Sequence, residues 1–336
     1  MSPSDRVRPG GVGVIGVGRY VPEKLVTNEQ VAAWTGMSAA AIEEKTGIRA
    51  RYVAADGETA SAMAATAASQ ALETAGVDPA RLGIIVACTF TGDYVYPAMA
   101  CRLQQLIGAR SAGAFDLMAN CTGFQVGLDM VASRMMVDPT IDHALVVGAA
   151  LQSRFIDWSD ADSAIYFGDG ASAAVLGRVP EGYGIIASDV YTNPAAFESV
   201  RLRGGGSSHP LRPDNISQGL QYYEVDGLEV WKQVVRYQPQ NIRRALEKAG
   251  MTTDDVDVFI FHQANLRLIE YLMGKMRKPM SMTYTNVAAI GNTADASIGL
   301  ALCDAVRAGA IRRDDIVAVS GVGAGFTFGT SVLRWY

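Results

Sequence analysis

The chain has 336 residues, of which 49% are hydrophobic and 19% are charged, and its net charge is −5. This composition excludes an intrinsically disordered protein, and the length suits two medium domains or one large α/β unit. The acidic balance argues against a general nucleic-acid binder. Four cysteines without a CxxC pair predict neither a disulfide framework nor a zinc site. Apolar runs are too short to span a membrane and the first residues lack a secretory signal, so we expect a cytoplasmic protein.

Strand and helix patterns alternate along the chain after a polar stretch at residues 1–10, which predicts a flexible arm. The apolar strands of the first half are expected at residues 12–17, 84–89, 114–118 and 143–148. Helices are expected to begin near Asn28, Thr59, Pro97 and Cys121. This alternation predicts layers of helices and sheets, with a largely parallel sheet.

The second half of the chain repeats the first. The segment ALETAG at residues 71–76 returns as ALEKAG at residues 245–250, and the strand at residues 143–148 returns at residues 316–321. A third match, VGL at 126–128 with IGL at 298–300, falls between them in the same order. We therefore predict two related halves, residues 11–180 and 181–336, that pack together with a site between them.

The segment GVGVIG at residues 11–16 matches the GxGxxG fingerprint of dinucleotide-binding proteins. That fingerprint should follow a strand and open a helix, whereas here it follows the polar arm and precedes RYVP. We therefore interpret these glycines as positions of close strand packing.

Cys121 is the first candidate for a catalytic group. It follows a predicted strand and opens an apolar helix, where free backbone N–H groups and the helix dipole favour the nucleophilic thiolate. The alternative is a buried and inert cysteine. The other cysteines, Cys88, Cys101 and Cys303, lie within strand or helix patterns and are interpreted as core.

Further polar candidates lie in the second half. His262 follows an apolar strand, which is where α/β folds place active-site groups. Asn292 precedes a helix, and the glycine-rich segment 321–325 offers backbone N–H groups of the kind that form an oxyanion hole. Taken singly, each has a structural alternative: a helix-capping histidine, a turn with an N-cap, and a hairpin turn.

Together these segments resemble the β-ketoacyl-ACP synthase III family of the thiolase superfamily. The resemblance covers nearly the whole chain and rests on GRYVP at 18–22, KTGIR at 45–49, DLMANCTGF at 116–124, FGDG at 167–170, HQANLR at 262–267, GNT at 291–293 and GAGFTFG at 323–329. It implies an α/β thiolase fold, a duplicated architecture of five αβαβα layers, and a homodimer.

The resemblance also implies roles for the candidates. Cys121 matches the nucleophile that accepts the acyl group, and His262 and Asn292 match the pair that supports carbon–carbon bond formation. The backbone N–H groups of Cys121 and Ala324 match the oxyanion hole. Asp169 is implied to be structural. No metal or redox cofactor is expected, and coenzyme A or the phosphopantetheine arm of an acyl carrier protein would carry the substrates.

Three departures from the family pattern stand out. Ala41 replaces a tryptophan that stacks on the adenine of coenzyme A and Lys45 replaces an arginine, which makes free acyl-CoA a doubtful donor. Gly299 replaces a larger residue and is expected to make room for a longer acyl chain. Asn120 replaces a small residue before Cys121, and no role for it follows from the sequence.

We predict a stand-alone ketosynthase of polyketide or secondary metabolism, which condenses an acyl chain on Cys121 with a second carrier-bound thioester. The alternatives are head-to-head joining of two β-ketoacyl chains to an α-pyrone, as in corallopyronin and myxopyronin assembly, housekeeping fatty-acid initiation from acetyl-CoA, acyl transfer to an alcohol or amine, and a catalytically inactive partner of a ketosynthase. Carrier docking is predicted on a local basic patch formed by Lys232, Arg267, Lys275, Arg277 and Lys278.

Overall fold

The computed structural model describes residues 10–336, so the predicted arm lies outside the described residues except for Gly10. The strands are β1 (Gly11–Tyr20), β2 (Lys24–Thr27), β3 (Ala50–Val53), β4 (Leu82–Cys88), β5 (Gly113–Leu117), β6 (His143–Ala150), β7 (Gly170–Val179), β8 (Gly184–Thr192), β9 (Val200–Leu202), β10 (Tyr223–Val225), β11 (Val258–Phe261), β12 (Ile316–Gly323) and β13 (Thr327–Arg334). The α-helices are α1 (Asn28–Thr35), α2 (Ala39–Thr46), α3 (Ala60–Ala75), α4 (Met99–Ile107), α5 (Gly123–Val137), α6 (Ala161–Ala164), α7 (Gly227–Lys248), α8 (Leu266–Lys275), α9 (Val287–Ile290) and α10 (Ser297–Arg307). No helix within residues 10–336 is long and apolar enough to cross a membrane.

Two mixed sheets form the centre of the molecule. The first has the strand order β1-β7-β6-β4-β5, and the second has the order β11-β12-β13-β8. In the first sheet β4 runs parallel to β5 and β6, whereas β7 is antiparallel to both of its neighbours. The prediction of a largely parallel sheet is therefore wrong. In the second sheet the reason is direct: only residues 324–326 separate β12 from β13, too few for the crossover that a parallel pair requires.

The two sheets have corresponding strand orders, which confirms the predicted duplication. Strands β1, β7, β6 and β4 of the first sheet correspond to β8, β13, β12 and β11 of the second. The place of β5 is taken in the second sheet by a single parallel bridge between Phe259 and Thr283. The strands of the two sheets lie within residues 11–179 and 184–334. A domain boundary at residue 180 stays a prediction.

Helices α5 and α10 lie between the two sheets. Phe124 and Leu128 of α5 and Ile298 of α10 are fully buried in one hydrophobic cluster that includes residues of both sheets. Helices α3 and α4 cover the outer face of the first sheet, and α7 and α8 cover the outer face of the second. The resulting order is helix, sheet, helix, sheet, helix, which is the predicted αβαβα arrangement.

The glycines of β1 allow this strand to pack closely against α3. A Cβ atom added at Gly16 would lie 2.6 Å from the Cβ of Ala75, and one at Gly18 would lie 2.6 Å from the backbone nitrogen of Ala71. Both distances are too short for any side chain, so only glycine fits between the strand and the helix. The segment at residues 11–16 therefore has the packing role that we expected.

Candidate active site

One cavity brings together the three side chains that were predicted to be catalytic. It encloses about 100 Å³ and is lined by Cys121, His262, Asn292 and Ala324. The rest of its wall is mainly apolar and includes Phe167, Val225, Val230, Trp231, Leu268 and Phe326. Cys121 comes from the half of the chain that forms the first sheet, whereas the other three come from the half that forms the second.

Cys121 lies in a short 3-10 helix, Asn120–Thr122, which leads directly into α5. Helix α5 itself begins at Gly123, two residues later than predicted. A Cβ atom at Gly123 would lie 3.0 Å from Oδ1 of Asp295 and 3.2 Å from the Cβ of Cys88. Glycine at this position therefore lets the segment of Cys121 pack against both of these side chains.

The protonation state of Cys121 differs from the prediction. The residue keeps partial access to the cavity, but desolvation by the surrounding protein raises the pKa of its thiol above the ordinary value. The charge of Asp295 raises that pKa further, and a hydrogen bond from the backbone N–H of Cys121 lowers it only in part. The helix start does favour the thiolate as expected, but desolvation and the charge of Asp295 outweigh this effect, so the thiol is neutral. A neutral thiol needs a base that removes its proton during the reaction.

His262 follows β11 as predicted, and it is buried and neutral. Its backbone N–H donates to the carbonyl of Ser320 over 2.9 Å, which holds the residue at the end of the sheet. Its Nδ1 atom lies 2.6 Å from the hydroxyl oxygen of Ser297, the first residue of α10. Burial lowers the pKa of His262 to about 3, so the imidazole is uncharged near neutral pH. Ser297 was not identified from the sequence.

Asn292 lies between α9 and the short helix Ala294–Ala296, so it precedes a helix as predicted. Its backbone N–H donates to the carbonyl of Tyr166, and its own carbonyl accepts from the N–H of Gly168, both over 2.9 Å. Its side-chain Oδ1 accepts from the N–H of Ala294 over 2.9 Å. Because the oxygen is already occupied, the side-chain NH2 group is left to donate into the cavity.

Asn120 has a role that sequence reasoning missed. Its φ angle of 49° lies in the left-handed region, which asparagine tolerates better than most other residues. Its Nδ2 atom donates to the carbonyl oxygen of Ala324 over 2.9 Å. At the same contact, a Cβ atom on Gly323 would overlap the carbonyl group of Ala119. Asn120 therefore connects the loop of Ala324 to the segment of Cys121. The only sequence feature that pointed to this role was the replacement of a small residue before the cysteine.

Asp169 has the hydrogen bonds of a structural carboxylate. Its oxygens accept from the backbone N–H of Ala54 over 2.8 Å, from the N–H of Ser153 over 2.9 Å, and from the hydroxyl of Ser153 over 2.6 Å. It therefore fastens three segments of the chain beneath the cavity, and it does not line the cavity itself.

Gly299 does not enlarge the cavity at Cys121, contrary to our expectation. It is buried in α10, where a Cβ atom would lie 2.6 Å from the Cβ of Ser172 and 2.8 Å from Cζ of Phe124. The space that a larger residue would fill is thus already occupied by β7 and α5. Gly299 permits close packing in the central layer.

Arg267 makes structural contacts in addition to any docking role. Its Nε and Nη2 atoms donate to the carbonyls of Glu44 over 2.9 Å and Glu43 over 3.3 Å. Its Nη1 atom pairs with the carboxylate of Glu270 over 2.9 Å. Since Glu43 and Glu44 lie near the C-terminal end of α2, Arg267 anchors the helix that carries Ala41 and Lys45.

The other cations of the predicted docking patch lie on α7, on α8 and just after α8. Lys232 pairs with Glu229 over 3.3 Å, and Lys278 pairs with Asp254 over 2.7 Å. Lys275 and Arg277 are exposed at the end of α8. The docking role of all five residues stays a prediction.

Comparison with known proteins shows which families and structures the chain resembles. Residues 115–194 match the family model described as 3-oxoacyl-[acyl-carrier-protein] synthase III, and residues 246–335 match the model of its C-terminal part. A β-ketoacyl-[acyl-carrier-protein] synthase III from Geobacillus kaustophilus is 39% identical over 97% of this chain and 99% of its own length. A second, from Symbiobacterium thermophilum, is 38% identical over 98% and 99%. The crystal structure of the priming β-ketosynthase of the R1128 polyketide pathway superimposes with a TM-score of 0.90 at 33% identity, covering 98% of each chain.

Proposed function

Because this chain belongs to the β-ketoacyl-[acyl-carrier-protein] synthase III family, we propose that Cys121 accepts an acyl group and that His262 and Asn292 support its condensation with a second thioester. The observation that carries this proposal is the single apolar cavity into which a thiol, a neutral imidazole and a carboxamide project. These are the groups required for acyl transfer followed by formation of a carbon–carbon bond.

Acyl transfer begins with the neutral thiol of Cys121. His262 takes the thiol proton as the sulfur attacks the carbonyl carbon of the donor thioester. The backbone N–H groups of Cys121 and Ala324 stabilise the oxyanion of the tetrahedral intermediate. The carbon–sulfur bond to the donor then breaks, His262 returns the proton to the leaving thiolate, and the acyl group remains on Cys121.

Condensation uses the same imidazole as a hydrogen-bond donor. The 2.6 Å contact between Nδ1 of His262 and the hydroxyl of Ser297 serves both tautomers of the ring. During acyl transfer Nδ1–H donates to the hydroxyl oxygen and Nε2 accepts the thiol proton, whereas during condensation the hydroxyl donates to Nδ1 and the ring proton lies on Nε2. Nε2–H and the NH2 group of Asn292 then stabilise the enolate that forms as the second thioester loses carbon dioxide or a proton. The enolate carbon attacks the acyl carbonyl and the carbon–sulfur bond to Cys121 breaks. The thiolate that leaves takes up one proton, which comes from water after loss of carbon dioxide, or is the proton that the second thioester released.

We propose carrier-bound thioesters as the substrates and priming of polyketide synthesis as the biological role. The similarity to the R1128 priming ketosynthase and the absence of a stacking aromatic residue at Ala41 support this reading. The main alternative is initiation of fatty-acid synthesis, which the names of the curated relatives favour. Head-to-head formation of an α-pyrone is a further outcome, whereas the presence of Cys121 and Asn292 argues against an inactive partner and a simple acyltransferase.

Intact-protein mass spectrometry with a panel of acyl-CoA and acyl-carrier donors tests the proposal. Wild type should gain the mass of one acyl group, with carrier donors reacting faster than the matching CoA thioesters. Cys121→Ala should gain none, whereas Cys101→Ala, which removes an exposed cysteine, should load normally. Loading of a folded Cys121→Ala variant would refute the nucleophile assignment, and preferred loading from acetyl-CoA would favour fatty-acid initiation.

Two further variants separate loading from condensation. His262→Ala and Asn292→Ala should both still accept an acyl group, the first more slowly because it lacks the base for the Cys121 thiol. Neither should form the β-keto product from a malonyl carrier, since the enolate loses a donor in each case. Normal product formation by both variants would contradict the assigned roles.

The docking patch is best tested at residues without a structural contact. Lys275→Glu and Arg277→Glu should slow loading from carrier protein, most strongly at low salt, and leave loading from a short pantetheine thioester unchanged. Arg267→Glu should slow both reactions, because Arg267 also anchors α2. Equal loss with both donors in the Lys275 and Arg277 variants would refute docking at this surface.

We also propose a homodimer joined through β5, an edge strand that pairs with β4 alone among the strands of residues 10–336. Phe115 on this strand is 45% exposed and Met118 beyond it is 72% exposed. An exposed, apolar edge strand is a ready surface for pairing with a second copy of the chain. Sedimentation velocity should show a dimer, and Phe115→Glu should shift it toward the monomer.

A further inference from the structure

The acidic side chain of Asp295 lies close to Cys121, and the mechanism above does not use it. Asp295 is fully buried in the short helix Ala294–Ala296, which packs against the short helix Asn120–Thr122 that carries Cys121. Within residues 10–336, neither of its carboxyl oxygens has a hydrogen-bond partner. Burial of an unpartnered carboxylate is strongly unfavourable, so this group calls for an explanation.

Comparison with Asp169 shows that Asp295 is not a structural carboxylate of the same kind. Asp169 is equally buried, but three hydrogen bonds from Ala54 and Ser153 satisfy its oxygens. Within residues 10–336, the side chain of Asp295 makes no hydrogen bond that would hold a neighbouring segment in place. Its effect on its surroundings therefore comes from its charge and its proton.

Three titratable groups on different elements are affected by the charge of Asp295, and the first of them is Cys121. Oδ1 lies against Gly123, immediately after Cys121, at 3.0 Å from the position that a Cβ atom would take there. Cys88 at the end of β4 and Tyr223 on β10 are the other two groups. The charge of Asp295 raises the pKa of all three, and burial raises the pKa of Asp295 itself to about 8.

We propose that Asp295 is a positioning residue that holds Cys121 in the neutral thiol form once its own carboxyl group is ionised, because this buried pair accommodates only one negative charge and the carboxyl group takes it first. The inference rests on the proposed role of Cys121 as the acyl acceptor. The thiolate is the form that reacts with oxidants and alkylating agents. Desolvation keeps Cys121 protonated, and so protected between turnovers, until His262 accepts its proton, and the charge of Asp295 extends this protection to higher pH.

The pH dependence of alkylation at Cys121 tests this coupling. Iodoacetamide modification would be followed by peptide mass spectrometry from pH 6.5 to 10 in wild type, Asp295→Asn and Asp129→Asn. Wild type and Asp295→Asn should react alike at pH 6.5, where the carboxyl group is protonated. At pH 9 only about a tenth of the wild-type carboxyl groups remain protonated, so Asp295→Asn should react about tenfold faster, and the difference should grow at higher pH. Asp129→Asn, which removes a carboxylate from α5 farther along the helix, should follow wild type.

Wild type alone provides a second readout, should Asp295→Asn fail to fold. Its alkylation rate should rise tenfold per pH unit below pH 8 and flatten above it, because ionisation of Asp295 then opposes formation of the thiolate. A steady rise through pH 9.5, or an Asp295→Asn profile within twofold of wild type, would overturn the inference. Alkylation does not depend on condensation, so failure of the proposed function would appear separately, as the absence of an acyl-enzyme.

Discussion

Asn120, the residue before Cys121, makes a side-chain hydrogen bond and has an unusual backbone conformation. Two substitutions at this position separate the effects of these two features. The side chain donates to the carbonyl of Ala324 over 2.9 Å, and the backbone has a φ angle of 49°. Asn120→Ala removes the hydrogen bond and also places an alanine in the left-handed region. Asn120→Gly removes the same bond but tolerates the backbone conformation. The two variants therefore share one loss and differ in the other.

The magnitudes follow from these two contributions. Loss of the hydrogen bond costs roughly 0.5–1.5 kcal/mol of unfolding free energy. The left-handed conformation costs alanine roughly a further 1–2 kcal/mol. Glycine avoids that strain but loses roughly 0.5–1 kcal/mol through the greater freedom of its unfolded chain. We therefore expect Asn120→Ala to be less stable than Asn120→Gly by about 1 kcal/mol.

Urea denaturation at fixed protein concentration measures this difference, and acyl loading on Cys121 measures the functional consequence. Both variants should load more slowly than wild type, because both release the loop that carries the N–H of Ala324. Equal stability of the alanine and glycine variants would refute the backbone argument. Wild-type loading rates in both would refute the proposed link between Asn120 and the oxyanion hole.

Three other predictions concern buried contacts of the second half. Gly299→Ala should lower the unfolding free energy by roughly 1–3 kcal/mol in urea denaturation, because its Cβ would lie 2.6 Å from the Cβ of Ser172. Gly274→Ala, at an exposed position in α8 where a Cβ meets nothing within 4 Å, should instead raise stability slightly. Ser297→Ala should slow product formation about tenfold in a condensation assay while loading changes less, because Nδ1 of His262 loses its partner at 2.6 Å. The imidazole of His262 has a pKa of about 3 when folded and an ordinary value when unfolded, so the unfolded chain binds the extra proton below pH 6.5. Stability should therefore fall with pH from 6.5 toward 3, by up to about 1.4 kcal/mol per pH unit from this group, and His262→Asn should show a shallower fall in acid titrations.

The parts of the fold and site that sequence predicts are those that local patterns encode. Apolar runs marked the strands that precede Cys121 and His262, and repeated segments revealed the duplication. Strand direction is different, because an apolar run has the same pattern whichever way its neighbour points. The parallel sheet was therefore predicted wrongly, and the antiparallel β7 and β13 became evident only from their pairing.

The contacts that support the site could not be predicted because they join segments far apart in sequence. Asn120 and Ala324 are separated by 204 positions, and His262 and Ser297 by 35. The ionisation state of Cys121 was not predicted correctly for a related reason. The helix dipole is a local property that the sequence indicates, whereas desolvation depends on how many distant residues enclose the thiol.

Asn120 and Asp295 act on Cys121 through different physical effects, and neither lines the cavity that would receive the acyl chain. Asn120 fixes the loop of Ala324 through a hydrogen bond, which affects where the oxyanion is held. The role proposed for Asp295 is electrostatic, because its carboxyl group is buried without a hydrogen-bond partner within residues 10–336 and its charge raises the pKa of the Cys121 thiol. Gly299, the residue expected to set chain length, instead packs against Ser172 and Phe124. The distinctive residues around this nucleophile therefore bear on the acyl-transfer step, and acyl length must be sought in the apolar wall formed by residues such as Val225, Trp231 and Phe326.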